Sequence, residues 1–277
     1  MKNRVGIMQG RMVPPIDGNI QMFPVGVWSD EFALAKEAGI EFIEWIYEWK
    51  TESDNPMSTD EGVSRMRSLS ESSGVEVASV CADYFMEKPL LGVSSDELQS
   101  RIGKLSWLIK SCSALGVGRI VIPFVDNSSI KSEKDEEMAL DALGAVLPEA
   151  EALNIELHLE TDFGPEAFRK FLDRLPHPML KVNYDSGNSA SLGYPHDEEL
   201  DAYGARLGSV HIKDRVRGEG SVPLGEGDAN FEVLFEFLKR LDYQGDFVLQ
   251  VARGEDGEEV ALARSNKAFM KKYWDSL

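Results

Sequence analysis

The chain has 277 residues, 43% of them hydrophobic and 9% aromatic, a globular composition long enough to bury a large core. Its 29 basic residues against 48 acidic ones give a formal net charge of −19, which repels phosphate backbones and anionic lipid and argues against nucleic-acid and membrane partners. With only Cys81 and Cys112 there is no disulfide framework, "MKNRVGIMQG" lacks a signal-peptide core, and no apolar run approaches ~18 residues, so a soluble cytoplasmic protein is expected.

Short, β-branched apolar runs then alternate with segments of helical period. "RVGIMQG" (4–10) reads as a strand, and "SDEFALAKEAG" (29–39) as a helix that opens on cap-type residues and closes on Gly39. "IEFIEWI" (40–46) is followed by a helix over 58–74, and "VEVASVC" (75–81) by one over roughly 95–115, ending at Gly116. "RIVIPFV" (119–125) precedes a helix over 132–153, which Pro148 is expected to kink or divide. "IELHLE" (155–160) leads to a helix at 164–175, and "LKVNYD" (180–185) to a shorter irregular segment ending near Arg206. "LGSVHI" (207–212) leads to a helix at 230–241, and "DFVLQVA" (246–252) to a last helix across 257–274. Parallel strands need crossovers, so eight strand–helix units predict an α/β fold, a single-domain (β/α)8 TIM barrel over 1–277. The rival open doubly wound sheet lacks its glycine fingerprint after the first strand.

In such a barrel the active site lies at the carboxyl ends of the strands, where polar residues stand out against apolar strand interiors. The fifth strand ends at Glu160, the sixth at Asp185, the seventh carries His211 and the eighth Gln250. Separations of 25, 26 and 39 residues correspond to roughly one unit each, so four neighbouring strands deliver one donor apiece to one mouth. Mixed oxygen and nitrogen donors suit a divalent cation, Mn²⁺ first, with Mg²⁺, Co²⁺ or Zn²⁺ as alternatives. Each residue also has a plainer reading. Glu160 can cap the following helix, Asp185 can be its own helix's N-cap, His211 can be a core histidine, and Gln250 can bond within the barrel.

In order and spacing, "GIMQGRMVPP", "FIEWIYE", "HLET", "NYDSGN", "VHIKDR" with "VPLGEGDANF", and "DFVLQVAR" resemble the sugar isomerase/epimerase family of xylose-isomerase-like barrels, which includes ketose 3-epimerases and sugar-phosphate epimerases. The resemblance spans essentially the whole length. It implies one divalent cation held by Glu160, Asp185, His211 and the eighth-strand residue, with a small-molecule sugar or sugar phosphate as substrate. It also implies proton shuttling through an enediolate by two glutamates on opposite faces, and it is compatible with a homo-oligomer. Glu160 matches the first glutamate, as general base. Gln250 stands where the second would be, and an amide takes up no proton near neutral pH, although its oxygen can ligate a metal. That departure favours a one-base 1,2 aldose–ketose shift over epimerisation.

Around this core, Gln9 and Arg11 at the first strand, Glu44 at the second, and His158, which shares parity with Glu160, are candidate substrate contacts. Lys213, Arg215 and Arg217 could neutralise a phosphate or simply face solvent. Trp28, Trp45, Tyr47 and Trp49 could wall a sugar pocket, although core packing is the commoner use of such residues. His177 and His196, beside prolines, read as loop residues without a catalytic part. A lyase that dehydrates a keto-polyol through the same enolate, and a sugar-binding homologue that has lost catalysis, are the alternatives. The superfamily's DNA-repair nuclease branch is disfavoured by four histidines and the acidic balance.

Overall fold

The computed structural model describes residues 3–276. Seven parallel strands follow in chain order: β1 (Val5–Met8), β2 (Phe42–Ile46), β3 (Glu76–Cys81), β4 (Arg119–Phe124), β5 (Glu156–Thr161), β6 (Leu180–Asp185) and β7 (Leu207–Ile212). A two-stranded antiparallel hairpin, β8 (Asp214–Arg215) and β9 (Ser221–Val222), then interrupts the alternation. Strand β10 (Asp246–Leu249) pairs with both β7 and β1 and closes the (β/α)8 barrel. These strands are apolar on their outward faces because helices cover them, which is why they read as near-continuous hydrophobic runs.

The helices are α1 (Glu31–Ala38), α2 (Asp60–Ser73), α3 (Tyr84–Glu87), α4 (Ser95–Leu115), α5 (Glu133–Ala152), α6 (Pro165–Arg174), α7 (Ser186–Leu192), α8 (His196–Tyr203), α9 (Phe231–Arg240) and α10 (Glu259–Ser276). Gly39, Gly74 and Gly116 end α1, α2 and α4 with φ of 73°, 75° and 80°, as the sequence leads one to expect. Pro148 does not divide α5, which runs unbroken past it. The proline lies on the exposed face, where the carbonyl it leaves without a partner can turn to water. The irregular stretch after β6 resolves into α7 and α8, and His196 is no loop residue. It opens α8, buried, bonded to the Tyr184 hydroxyl at 2.6 Å and accepting the Asn230 N–H at 3.1 Å. Among the described residues no helix is long and apolar enough to cross a membrane.

The inward-facing positions of the barrel carry an unusual amount of polarity. Phe42 and Arg119 fill the amino-terminal end, where the Arg119 guanidinium sits 5.2 Å from the Phe42 ring and bonds Asp246 at 2.8 Å. Above them come His158, Asn183 and Ser209, all buried. Gly208 has to be glycine here, since a Cβ would lie 2.4 Å from the His158 ring. The apolar core lies between the strands and the helices. Trp45 packs there against Phe23, Trp28 and Phe32, and Tyr47 is buried with them, so these aromatics build core and not a sugar wall, while Trp49 is exposed under the Lys88 ammonium.

Candidate active site

Period-two alternation along β5, β6 and β7 aims His158 and Glu160, Asn183 and Asp185, and Ser209 and His211 into the barrel. The register pairs Asp185 with His211 directly across β6 and β7, so the two side chains meet. Ligand atoms of Glu160, Asp185 and His211 all lie within 4.8 Å of one another, and all three residues are buried. His211 Nδ1 approaches Glu160 Oε2 at 3.4 Å and Asp185 Oδ2 at 3.9 Å.

Each member is held from behind. His211 Nε2 donates to Glu44 at 2.7 Å, and Glu44 also takes the Ser79 hydroxyl. Asn183 and Asn188 each donate an amide N–H to a different oxygen of Glu160, at 2.8 and 2.6 Å. Asp185 does two things at once. Its Oδ1 caps α7 by accepting from Gly187 and Asn188 at 2.9 and 2.8 Å, which leaves Oδ2 facing the histidine. Burial opposes the Asp185 charge, but Lys213, His211 and the Asn188 N–H outweigh it and hold this carboxyl at about 2. Burial likewise opposes protonation of His211, yet Glu44, Asp185 and Glu160 together keep it well above an ordinary imidazole.

His211 Nδ1 itself is a buried nitrogen with no hydrogen-bond partner. Buried polar atoms rarely stay unpaired. This one faces two carboxylates while Nε2 is committed to Glu44, the arrangement in which a carboxylate fixes the tautomer of a metal-binding histidine. One nitrogen and two carboxylates within a coordination span fit a divalent cation.

Of the three, Glu160 lines a cavity of about 380 Å³ at the carboxyl end of the strands, together with Lys213, Arg215, Gln250 and Arg11 among others. The Lys213 ammonium lies 3.4 Å from Asp185 Oδ2 and 3.3 Å from Gln250 Oε1, which brings Gln250 to the same mouth. Arg215 donates to Asn188 and to the Glu219 carbonyl, so part of its charge is spent on holding the loop.

Three candidate contacts do not reach this cavity. Glu44 is fully buried behind His211. His158 has the expected parity but lies one layer deeper, bonded to Ser209 at 2.7 Å and to Glu156 at 2.9 Å. Gln9 is fully buried, and its oxygen accepts the Ile46 N–H at 2.9 Å. Conversely, Asn183 and Asn188 escaped the sequence reading, although both stand in "NYDSGN" and Asn183 shares parity with Asp185. Asp83 lines the cavity from the end of β3 and obeys the same strand-end rule that singled out the other four.

Comparisons with known proteins agree with this architecture. The L-ribulose-5-phosphate 3-epimerase UlaE of Salmonella heidelberg (strain SL476) is 27% identical over 252 residues, covering 86% of this chain and 87% of that protein. The structure of a D-allulose 3-epimerase from Methylomonas sp. in complex with D-allulose superimposes with a TM-score of 0.74 at 18% identity, covering 98% of both chains. A xylose isomerase-like TIM barrel protein from Mycobacterium smegmatis in complex with magnesium gives 0.74 at 17% identity, covering 99% of this chain and 97% of that one. These two likenesses show the fold. The family model for the xylose isomerase-like TIM barrel matches residues 32–273, from within the first helix to near the end of the last, and this chain belongs to that family.

Proposed function

We propose that the protein is a divalent-metal-dependent isomerase or epimerase of a sugar or sugar phosphate, and that it works by removing a proton beside a carbonyl. The observation that carries this reading is the unpartnered His211 Nδ1 facing Asp185 and Glu160, the last of which lines the polar cavity. The names of the relatives support the substrate class: one is an epimerase of a ketose phosphate, another holds a ketose.

In this reading Glu160, Asp185, His211 and the Gln250 oxygen hold Mn²⁺, or Mg²⁺, Co²⁺ or Zn²⁺. When bound, that cation supplies Lewis-acid stabilisation of the negative charge that builds on the substrate's oxygens. Glu160 is the general base, a role worth about 10²–10⁴-fold. The two asparagine amides fix its carboxylate plane while leaving lone pairs toward the cavity. Lys213 stands beside Asp185 and Gln250 as a donor to a substrate hydroxyl or enolate oxygen. Glu44 keeps the imidazole in the tautomer that presents Nδ1.

The test is hydrogen exchange. Metal-stripped protein reloaded with Mn²⁺ is incubated in D₂O with a panel of ketoses, aldoses and their phosphates, and carbon-bound deuterium is read by NMR. Exchange next to the carbonyl that a chelator abolishes is expected. No exchange on any member would overturn the reading, and water loss with a new conjugated-carbonyl absorbance would replace it with a lyase.

A further inference from the structure

The charges that line the cavity are sorted by side. Glu48 follows β2, Asp83 and Glu87 follow β3, Asp126 follows β4 and Glu160 stands on β5, strands that are consecutive around the ring. Lys213 and Arg215 follow β7 and Arg11 follows β1, with only β10 between them. One wall is therefore acidic and the other cationic, on a chain whose net charge is −19.

The three cations are not equivalent. Lys213 lies 3.4 Å from Asp185, whose carboxylate balances it. Arg11 is buried, its Nε and Nη1 engaged by the Val251 and Ile20 carbonyls and its Nη2 3.4 Å from Gln21 Oε1. Arg215 is half-buried and has no carboxylate partner among the described residues. Its Nε and Nη2 donate to the Glu219 carbonyl at 2.9 and 2.7 Å, and its Nη1 to Asn188 Oδ1 at 2.9 Å. Part of its N–H set is left unengaged. The adjacent Asp214 does not cancel this charge, because its carboxylate is occupied by the N–H groups of Gly225, Gly227 and Ala229. Directly opposite Arg215 in the hairpin stands Ser221. Opposed positions share a face. Both residues line the cavity, and the Ser221 hydroxyl bonds to no described residue.

We propose that the substrate is a phosphorylated sugar, and that Arg215 and Ser221 grip its phosphate. The proposal rests on the proton-abstraction reading above and names the substrate class of that same site. A phosphate presents three accepting oxygens, which take guanidinium N–H groups from one strand of the hairpin and a hydroxyl from the other. A carboxylate offers only its two coplanar oxygens, and a guanidinium fork fills both. Asn188 ties the grip to the chemistry. Its Nδ2 donates to Glu160 Oε1 at 2.6 Å while its Oδ1 accepts from Arg215, so one amide separates the general base from the phosphate, a gap that a short sugar spans. The loops after the seventh and eighth strands are also where (β/α)8 barrels commonly bind phosphate, and this hairpin directly follows β7. The acidic wall remains to accept the sugar's hydroxyls.

The experiment has two arms. In the first, metal-free protein is titrated by calorimetry with ribitol 5-phosphate and glucitol 6-phosphate, with the free polyols, and with ribonate and gluconate, none of which has a carbonyl that can react. The phosphates should bind about 100-fold more tightly than the free polyols. Arg215→Ala should abolish that difference, Ser221→Ala should reduce it about 10-fold, and Arg215→Lys should restore part of it. In the second arm, kcat/KM for deuterium exchange by Mn²⁺-loaded protein is measured on each ketose and aldose with and without its terminal phosphate. Wild type should prefer the phosphorylated form, and Arg215→Ala should lose that preference through KM. Should a variant fail to fold, the wild-type comparisons alone decide. Equal binding and equal exchange of the two forms would overturn the proposal. A preference that survives Arg215→Ala, or carboxylates that bind more tightly than the phosphates, would do the same. Polyol phosphates that bind through Arg215 while no sugar exchanges would keep the phosphate grip and remove the proposed function instead.

Discussion

Glu31 is the first residue of α1 and fully buried, an uncommon place for a carboxylate. Its Oε1 accepts the N–H groups of Gly10 and Met12 at 2.6 and 3.4 Å, while Oε2 has no partner. Desolvation dominates and lifts the group from 4.5 to about 7, against the pull of those N–H groups and of Arg253. The folded protein thus holds this proton more tightly than the unfolded chain. Its contribution to stability is complete below pH 4.5 and is lost as the pH rises through 7. Glu31→Gln keeps the accepting oxygen and removes the titration. Urea unfolding from pH 4.5 to 8 should show the variant gaining on wild type by roughly 3 kcal/mol, and parallel curves for the two proteins would refute this account. At this scale the sequence was legible where one residue had one role. Asp185 was offered as either cap or ligand, but a carboxylate has two oxygens, and the fold uses one for α7 and turns the other to His211.

At the scale of elements, the turn after β7 shows how the mouth is tied down. Asp214, fully buried in β8, accepts from Gly225 and Gly227 through Oδ2 at 2.8 and 3.0 Å, and from Ala229 through Oδ1 at 3.1 Å. Gly227 leaves room for this, since a Cβ there would sit 2.2 Å from Asp214 Oδ1. The "VPLGEGDANF" segment is thereby tied to the hairpin, whose Arg215 lines the cavity together with the preceding Lys213. Asp214→Ala should cost about 1.5–3 kcal/mol, and hydrogen exchange at the 225, 227 and 229 amides should accelerate while barrel amides keep their protection. Unchanged exchange at those three would show that the carboxylate does not hold the loop. Periodicity found all eight barrel strands and most helices, because the outward face of each strand and one stripe of each helix are apolar. It missed the hairpin, whose two-residue strands carry no period, and it overran β1 into Gln9 and Gly10 and β10 into Val251 and Ala252, the last two being apolar residues beyond the ladder.

For the molecule as a whole, a cation held by Glu160, Asp185 and His211 as proposed would stabilise the entire barrel, because these residues sit on β5, β6 and β7 and meet only when the ring is closed. Mn²⁺ at a hundred times its Kd should add about 2.7 kcal/mol and raise Tm by several degrees. Glu160→Gln should abolish the rise, and equal shifts in both proteins would place the ion elsewhere. The same closure explains what could be read in advance. Strand and helix periods, turn glycines and the acidic balance are local or additive properties, so the linear chain alone determined the barrel, the family likeness and the strand ends where chemistry belongs. Depth, facing and hydrogen-bond partners depend on residues hundreds of positions apart. Only the folded ring decided that Glu44 backs His211 across 167 residues, that His158 lies a layer too deep, and that Asp83 faces into the cavity.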